Sequence, residues 1–149
     1  MTRRLRLPDA ISACLFDLDG VLARTAELHA AAWKQTFDDF LRNRIGLARS
    51  ASAPFDAVAD DVVVDGALAR ELGLAGKPSP DVFLQAARRL GVAPRQAAVF
   101  EDALAGVAAG RAGGFGLVVG VDRAGQADEH RAAGADTVVA DLAELIGAP

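Results

Sequence analysis

Two short acidic signatures and one lysine carry most of the chemistry this chain can offer. Asp17 and Asp19 follow the apolar run at 11–16, and Glu101 and Asp102 follow the apolar run at 97–100. Four carboxylates gathered in one crevice would repel one another unless a hard cation sat among them, and an all-oxygen ligand set suits Mg²⁺ with retained waters. Lys77, just ahead of Pro78-Ser79-Pro80, is placed to balance the charge of a phosphate bound beside that ion. A carboxylate at a strand end, here Asp17, can attack phosphorus to give an aspartyl phosphate, with Asp19 shuttling the proton. Strand residues two apart share a face, and Gly20 lets the chain turn so that both carboxyls reach one crevice. An Asp-x-Asp-Gly tetrapeptide alone also serves as an ordinary turn after a strand. The chemical reading therefore leans on its partners, the second acidic pair and Lys77.

A scaffold that collects strand ends is required, and in an open parallel sheet ligands sit outside the carboxyl ends of the strands. The segments 11–16, 97–100, 115–121 and 137–140 read as buried strands, and the β-branched run 62–64 as another. Between them lie helical patterns. Segment 25–42 has an apolar stripe including Leu28, Trp33 and Phe37, and 67–72 is a short piece. A helix opens at Pro78-Ser79-Pro80-Asp81, with Ser79 capping and Pro80 in the first turn. Phe83, Leu84, Ala87 and Leu90 face inward until Gly91 ends it. Further helices are expected at 103–111, 126–133 and 141–146. This alternation predicts an α/β fold, a doubly wound parallel sheet covered on both faces, with 97–100 beside 11–16 so that the acidic pairs meet.

Composition narrows the classes. With 149 residues, 52% hydrophobic and 24% charged, the chain reads as a single domain spanning 1–149. Sixteen Lys and Arg against twenty Asp and Glu give a net charge of −4, so no basic face is available for nucleic acid. Cys14 is the single cysteine, which excludes an internal disulfide and a zinc cluster and suits the cytoplasm. Pro8, Asp9 and Asp17 break the early apolar stretch, so neither a signal peptide nor a membrane span is expected. His130 reads as a solvated helix residue, and Gly106-x-x-x-Gly110 as close packing of a helix on the sheet. The 110–120 run lacks the Gly-x-Gly-x-x-Gly spacing of a nucleotide site.

Three ordered motifs give the chain a family likeness. Phe16-Asp17-Leu18-Asp19-Gly20-Val21-Leu22, Gly76-Lys77-Pro78-Ser79-Pro80-Asp81-Val82-Phe83 and Val99-Phe100-Glu101-Asp102-Ala103-Leu104-Ala105-Gly106-Val107 resemble the first, third and fourth motifs of the haloacid dehalogenase superfamily, in its β-phosphoglucomutase-like subgroup. The resemblance implies a Rossmann-like core with Asp17 as nucleophile, Asp19 as general acid and base, and Lys77 as phosphate clamp. It also implies Mg²⁺ held by Asp17, the Asp19 backbone carbonyl, Glu101 and Asp102. Leu18 joins Asp17 and Lys77 in the implied phosphate-binding set. The stretch from Thr25 to Lys34 resembles the subgroup's cap-entry helix, which implies that His29 touches Asp19; otherwise His29 is a helix-surface residue.

Relatives insert a helical cap and then a strand ending in a Ser or Thr second motif. Here the connection at 43–61 is too short for a compact cap plus a strand, so the cap is expected to be largely absent. Ile45-Gly46-Leu47-Ala48-Arg49-Ser50-Ala51-Ser52 resembles the second motif with Ser50 as its hydroxyl, or else Ser50 is a linker serine, and Phe55-Asp56-Ala57-Val58-Ala59-Asp60 resembles instead the start of a cap whose remainder is deleted. The implied activity is Mg²⁺-dependent phosphatase or phosphotransferase chemistry on a small phosphate ester, a sugar phosphate by analogy. The alternatives are a non-catalytic remnant that keeps fold and metal, and β-phosphoglucomutase activity. Homo-oligomerisation through the surface left by the cap is a further expectation.

Overall fold

The computed structural model describes residues 7–17, 64 and 66–146. Its elements are β1 (Ala13–Phe16), α1 (Gly66–Glu71), α2 (Asp81–Arg89), β2 (Ala97–Glu101), α3 (Leu104–Ala112), β3 (Leu117–Val121), α4 (Ala127–Ala132) and β4 (Thr137–Val139). Short 3₁₀ turns at Pro94–Gln96 and Leu142–Leu145 complete them. All described strands are parallel in the order β1-β2-β3-β4, so the acidic strand ends at 16 and 101 belong to neighbours, as expected.

Strand alternation explains both the core and the site. Ala97 and Val99 face one side of the sheet, where they pack with Leu15, Val118, Val107 of α3, and Phe83, Ala86 and Ala87 of α2. Ala98 and Phe100 face the other side with Ile11, Val119, Val121, Val139, Leu142 and Leu145. The Phe16 and Phe100 rings stack across the β1–β2 register at 4.6 Å between centroids. β2 is buried along its whole length, which is why its sequence is a continuous apolar run ending in one charge. Cys14 is inert in this setting, its thiol pushed up to about 12 by burial.

Several boundaries differ from the sequence expectation. Residues 11 and 12 precede the strand, although Ile11 is buried and the Ser12 N–H donates to the Gln96 carbonyl at 2.7 Å. α2 begins at Asp81 with Pro80 as its N-cap, and Ser79 helps from one residue further out, its Oγ accepting from the Asp81 N–H at 3.4 Å. Gly91, at φ 68°, turns the chain out of that helix. The expected helix at 141–146 is a single 3₁₀ stretch. Asp141 accepts from the Ala143 N–H and Glu144 from the Asp141 N–H, a reciprocal cap that closes before an α-turn can propagate.

His130 requires correction. It is buried at 2% exposure, not solvated. α4 turns it onto β3 at Gly120, where a Cβ would lie 2.8 Å from His130 Nδ1, so the imidazole fills space that a side chain would otherwise take. The expected helix at 25–42, with Trp33 and Phe37, and the shortened connection at 43–61 lie outside the described residues. So do residues 62 and 63 of the expected second strand. No described helix is long and apolar enough to cross a membrane.

Candidate active site

Asp17 and Glu101 come together because of the β1–β2 register. Phe16 pairs with Phe100, and the Asp17 N–H extends the ladder by donating to the Phe100 carbonyl at 3.1 Å. Odd-numbered residues of both strands face α2 and α3, so the next residue of each strand presents its carboxylate on that same face. Asp102 follows directly. Asp17, Glu101 and Asp102 each offer a carboxylate oxygen, all within 4.8 Å of one another.

Lys77 completes the group from the turn ahead of α2, where the Lys77–Pro78 peptide is cis. Its Nζ donates to Asp17 Oδ1 at 2.8 Å and to Glu101 Oε2 at 2.5 Å. The ammonium also lies 5.1 Å from the centroid of the Phe83 ring, which meets Phe115 edge-on. α2 therefore supplies an aromatic support for the lysine, and the sheet supplies its acceptors. The sequence placed Lys77 across from the carboxylates; the fold sets it directly on two of them.

Glu101 is the unusual member. Its side chain has no exposed surface, whereas those of Lys77 and Asp17 are each 26% exposed. Ala103 N–H donates to Glu101 Oε1 at 3.2 Å while Lys77 holds Oε2. Burial, only partly offset by the hydrogen bond and charge of Lys77, pushes the Glu101 carboxyl up to about 7. Burial works against the charge of Lys77 as well, but its hydrogen bonds to Asp17 and Glu101 prevail and raise its pKa. Among the described residues, three carboxylates meet one ammonium in a partly desolvated place. That donor set, all oxygen and anionic, fits a hard divalent cation.

A pH dependence follows for the metal-free protein. Between the ordinary Glu value of 4.5 and about 7, the folded state holds a proton on Glu101 that the unfolded state has released. Stability from this group is present below that window and lost as pH rises through it. Asp81 and Asp122, with carboxyls held below 3.8, act only at lower pH. Melting in the presence of a chelator should fall from about pH 5 to about pH 8, and Glu101→Gln should flatten the fall. An equally steep fall in Glu101→Gln would assign it to other groups.

Of the sequence candidates, Asp17, Lys77, Glu101 and Asp102 are gathered here. Asp19, Leu18, His29 and Ser50 lie outside the described residues. Two further contributors fall outside the sequence candidates. Ala103 donates its N–H to Glu101, and Gly106 of α3 lies so close that a Cβ there would overlap the Glu101 carboxylate. The signal for Gly106 was present as a glycine one turn into a helix that follows an acidic pair.

This geometry has relatives. A β-phosphoglucomutase of Mycobacterium bovis is 34% identical to the chain over 249 aligned positions, covering 97% of this chain and 95% of the relative. The chain belongs to the haloacid dehalogenase superfamily, in its β-phosphoglucomutase-like subgroup. The haloacid dehalogenase-like hydrolase family matches residues 54–114. A trehalose-phosphate phosphatase of Mycobacterium bovis is 51% identical over 65 residues, 44% of this chain and 17% of that protein. In fold, this haloacid dehalogenase-like chain resembles a family IA, variant 3 hydrolase of the same superfamily from Entamoeba histolytica. The TM-score is 0.54 at 18% identity, over 90% of this chain and 95% of the other. The α/β core is thus the superfamily's core, and by class the chain is a phosphatase or phosphotransferase. The mutase alignment spans 249 positions against 149 residues here, so many positions of the relative have no counterpart in this chain.

Proposed function

We propose that this haloacid dehalogenase-like chain is a divalent-cation-dependent phosphomonoesterase that acts on small sugar phosphates through Asp17. The observation that carries the reading is the placing of Asp17 beside buried Glu101 and Asp102, with Lys77 Nζ bonded to the first two. An Asp17 carboxylate oxygen attacks phosphorus, and the bond from phosphorus to the ester oxygen breaks. The departing alkoxide takes a proton from Asp19, the general acid. Water then attacks the phosphorus of the aspartyl phosphate as Asp19 takes back a proton, and the bond to Asp17 breaks to release inorganic phosphate. Lys77 keeps a positive charge beside the nucleophile and offers its remaining donor capacity to the phosphoryl oxygens. Mg²⁺ held by Asp17, Glu101, Asp102 and the Asp19 carbonyl would screen the charge between carboxylate and phosphate.

Leu18 and Ser50 belong to the proposed phosphate-binding set, and His29 supports Asp19. The names of the mutase and of the trehalose-phosphate phosphatase favour a sugar phosphate as substrate. The positions lacking relative to the mutase are, in this reading, those of the cap, lost at the short connection 43–61. Without a cap to exclude water and retain an intermediate, hydrolysis is favoured over mutase chemistry. The same loss favours, as a second reading, a remnant that binds the cation without turnover.

Calorimetry decides the cation site. Mg²⁺ should raise the melting temperature of the wild type by linkage and have little effect on Asp102→Ala. Equal stabilisation of both proteins would remove the site. Hydrolysis of p-nitrophenyl phosphate and a panel of sugar phosphates, with and without Mg²⁺, then separates the enzyme from the remnant.

A further inference from the structure

Gly106 is the third residue of α3, the helix that leaves the Glu101-Asp102 pair. A Cβ at this position would overlap Cγ, Cδ and Oε2 of Glu101. The carboxylate has little freedom to step aside, since it is wholly buried and held at one oxygen by Lys77 and at the other by the Ala103 N–H. The helix itself has no use for glycine there, because alanine is the better helix former. One turn later Gly110 is also close to the sheet, but its neighbours at 3.2 and 3.3 Å are Val118 and Val99 side chains. Gly110 therefore makes room for apolar packing, and Gly106 makes room for a charged group of the site.

We propose that Gly106 is a positioning residue. Its missing side chain lets the Glu101 carboxylate lie against α3 within reach of Asp17 and Asp102, and so sets the geometry in which a divalent cation is bound. The inference rests on the cation reading of these three carboxylates. It assigns a functional constraint to a residue that touches neither substrate nor metal.

The test is a cycle of four proteins: wild type, Gly106→Ala, Glu101→Ala and the double variant. Each is titrated with Mg²⁺ calorimetrically and melted in its absence. Gly106→Ala should melt below the wild type and bind Mg²⁺ roughly ten- to a hundredfold more weakly. In the Glu101→Ala background the same substitution should raise the melting temperature, because the overlap is gone and the helix preference remains. Should Gly106→Ala fold too poorly to titrate, recovery of the fold in the double variant supports the proposal, and no recovery overturns it. Wild-type Mg²⁺ affinity in Gly106→Ala would overturn it, as would an equal loss of melting temperature in both backgrounds. A wild type that takes up no Mg²⁺ while the melting shifts still reverse sign would overturn the cation reading and leave Gly106 positioning Glu101.

Discussion

Asp17→Asn should lower the hydrolysis of p-nitrophenyl phosphate by roughly 10⁴-fold or more, while leaving the fold intact. The asparagine oxygen can still accept the Lys77 hydrogen bond, so the shape of the site is kept. What is lost is the anionic electron pair that would form the bond to phosphorus. The charge of Asp17 is also one of the influences that raise the Glu101 carboxyl, so its removal eases repulsion in the metal-free cluster. Loss of activity should therefore come without loss of melting temperature. A variant that hydrolyses as fast as the wild type would remove Asp17 from the chemistry.

Lys77→Met should damage both stability and turnover. Methionine can keep its length against the Phe83 ring, but Glu101 loses the ammonium that meets Oε2 and is left buried with the Ala103 N–H as its remaining described donor. Removing one partner of a buried charge pair leaves the other uncompensated, at a cost of about 3 kcal/mol. Glu101 limits this cost by holding its proton to still higher pH. Turnover should fall by about 10² to 10³, the scale of losing one preorganised charge at a developing phosphoryl centre. Lys77→Arg should not restore it, because a planar fork cannot occupy the point-like place between the two carboxylates. Urea unfolding at neutral pH and steady-state kinetics measure the two effects separately. A methionine variant of wild-type stability would show that the bond to Lys77 does not stabilise the buried Glu101.

The site was legible where local pattern decides position. An apolar run ending in acid, repeated at 11–17 and 97–102, announced two buried strands whose carboxyl ends carry charge, and the pairing of Phe16 with Phe100 follows from the need to join them. Pro78-Ser79-Pro80-Asp81 marked the start of α2 to within a residue. Position in three dimensions was less legible. The sequence assigns Glu101 a ligand's role but does not reveal that it is sealed from solvent, because the seal comes from Lys77, Ala103 and Gly106 on two other elements. The burial of His130 is illegible for the same reason: α4 has six residues, too few for a periodic stripe, and the space His130 occupies is made by Gly120 on β3. The 141–146 segment reads as a helix from its place in the strand-helix alternation, yet reciprocal capping over so short a stretch closes a single 3₁₀ turn.

Covalent phosphoryl transfer to Asp17 is the centre of the account, and trapping tests it most directly. Borohydride reduces an aspartyl phosphate to homoserine, so the wild type quenched during turnover of a phosphate ester with Mg²⁺ should yield a peptide with homoserine at position 17 by mass spectrometry. The same treatment without substrate, or of Asp17→Asn, should yield none. Homoserine at another carboxylate, or turnover without homoserine at 17, would contradict the assignment of Asp17 as the nucleophile.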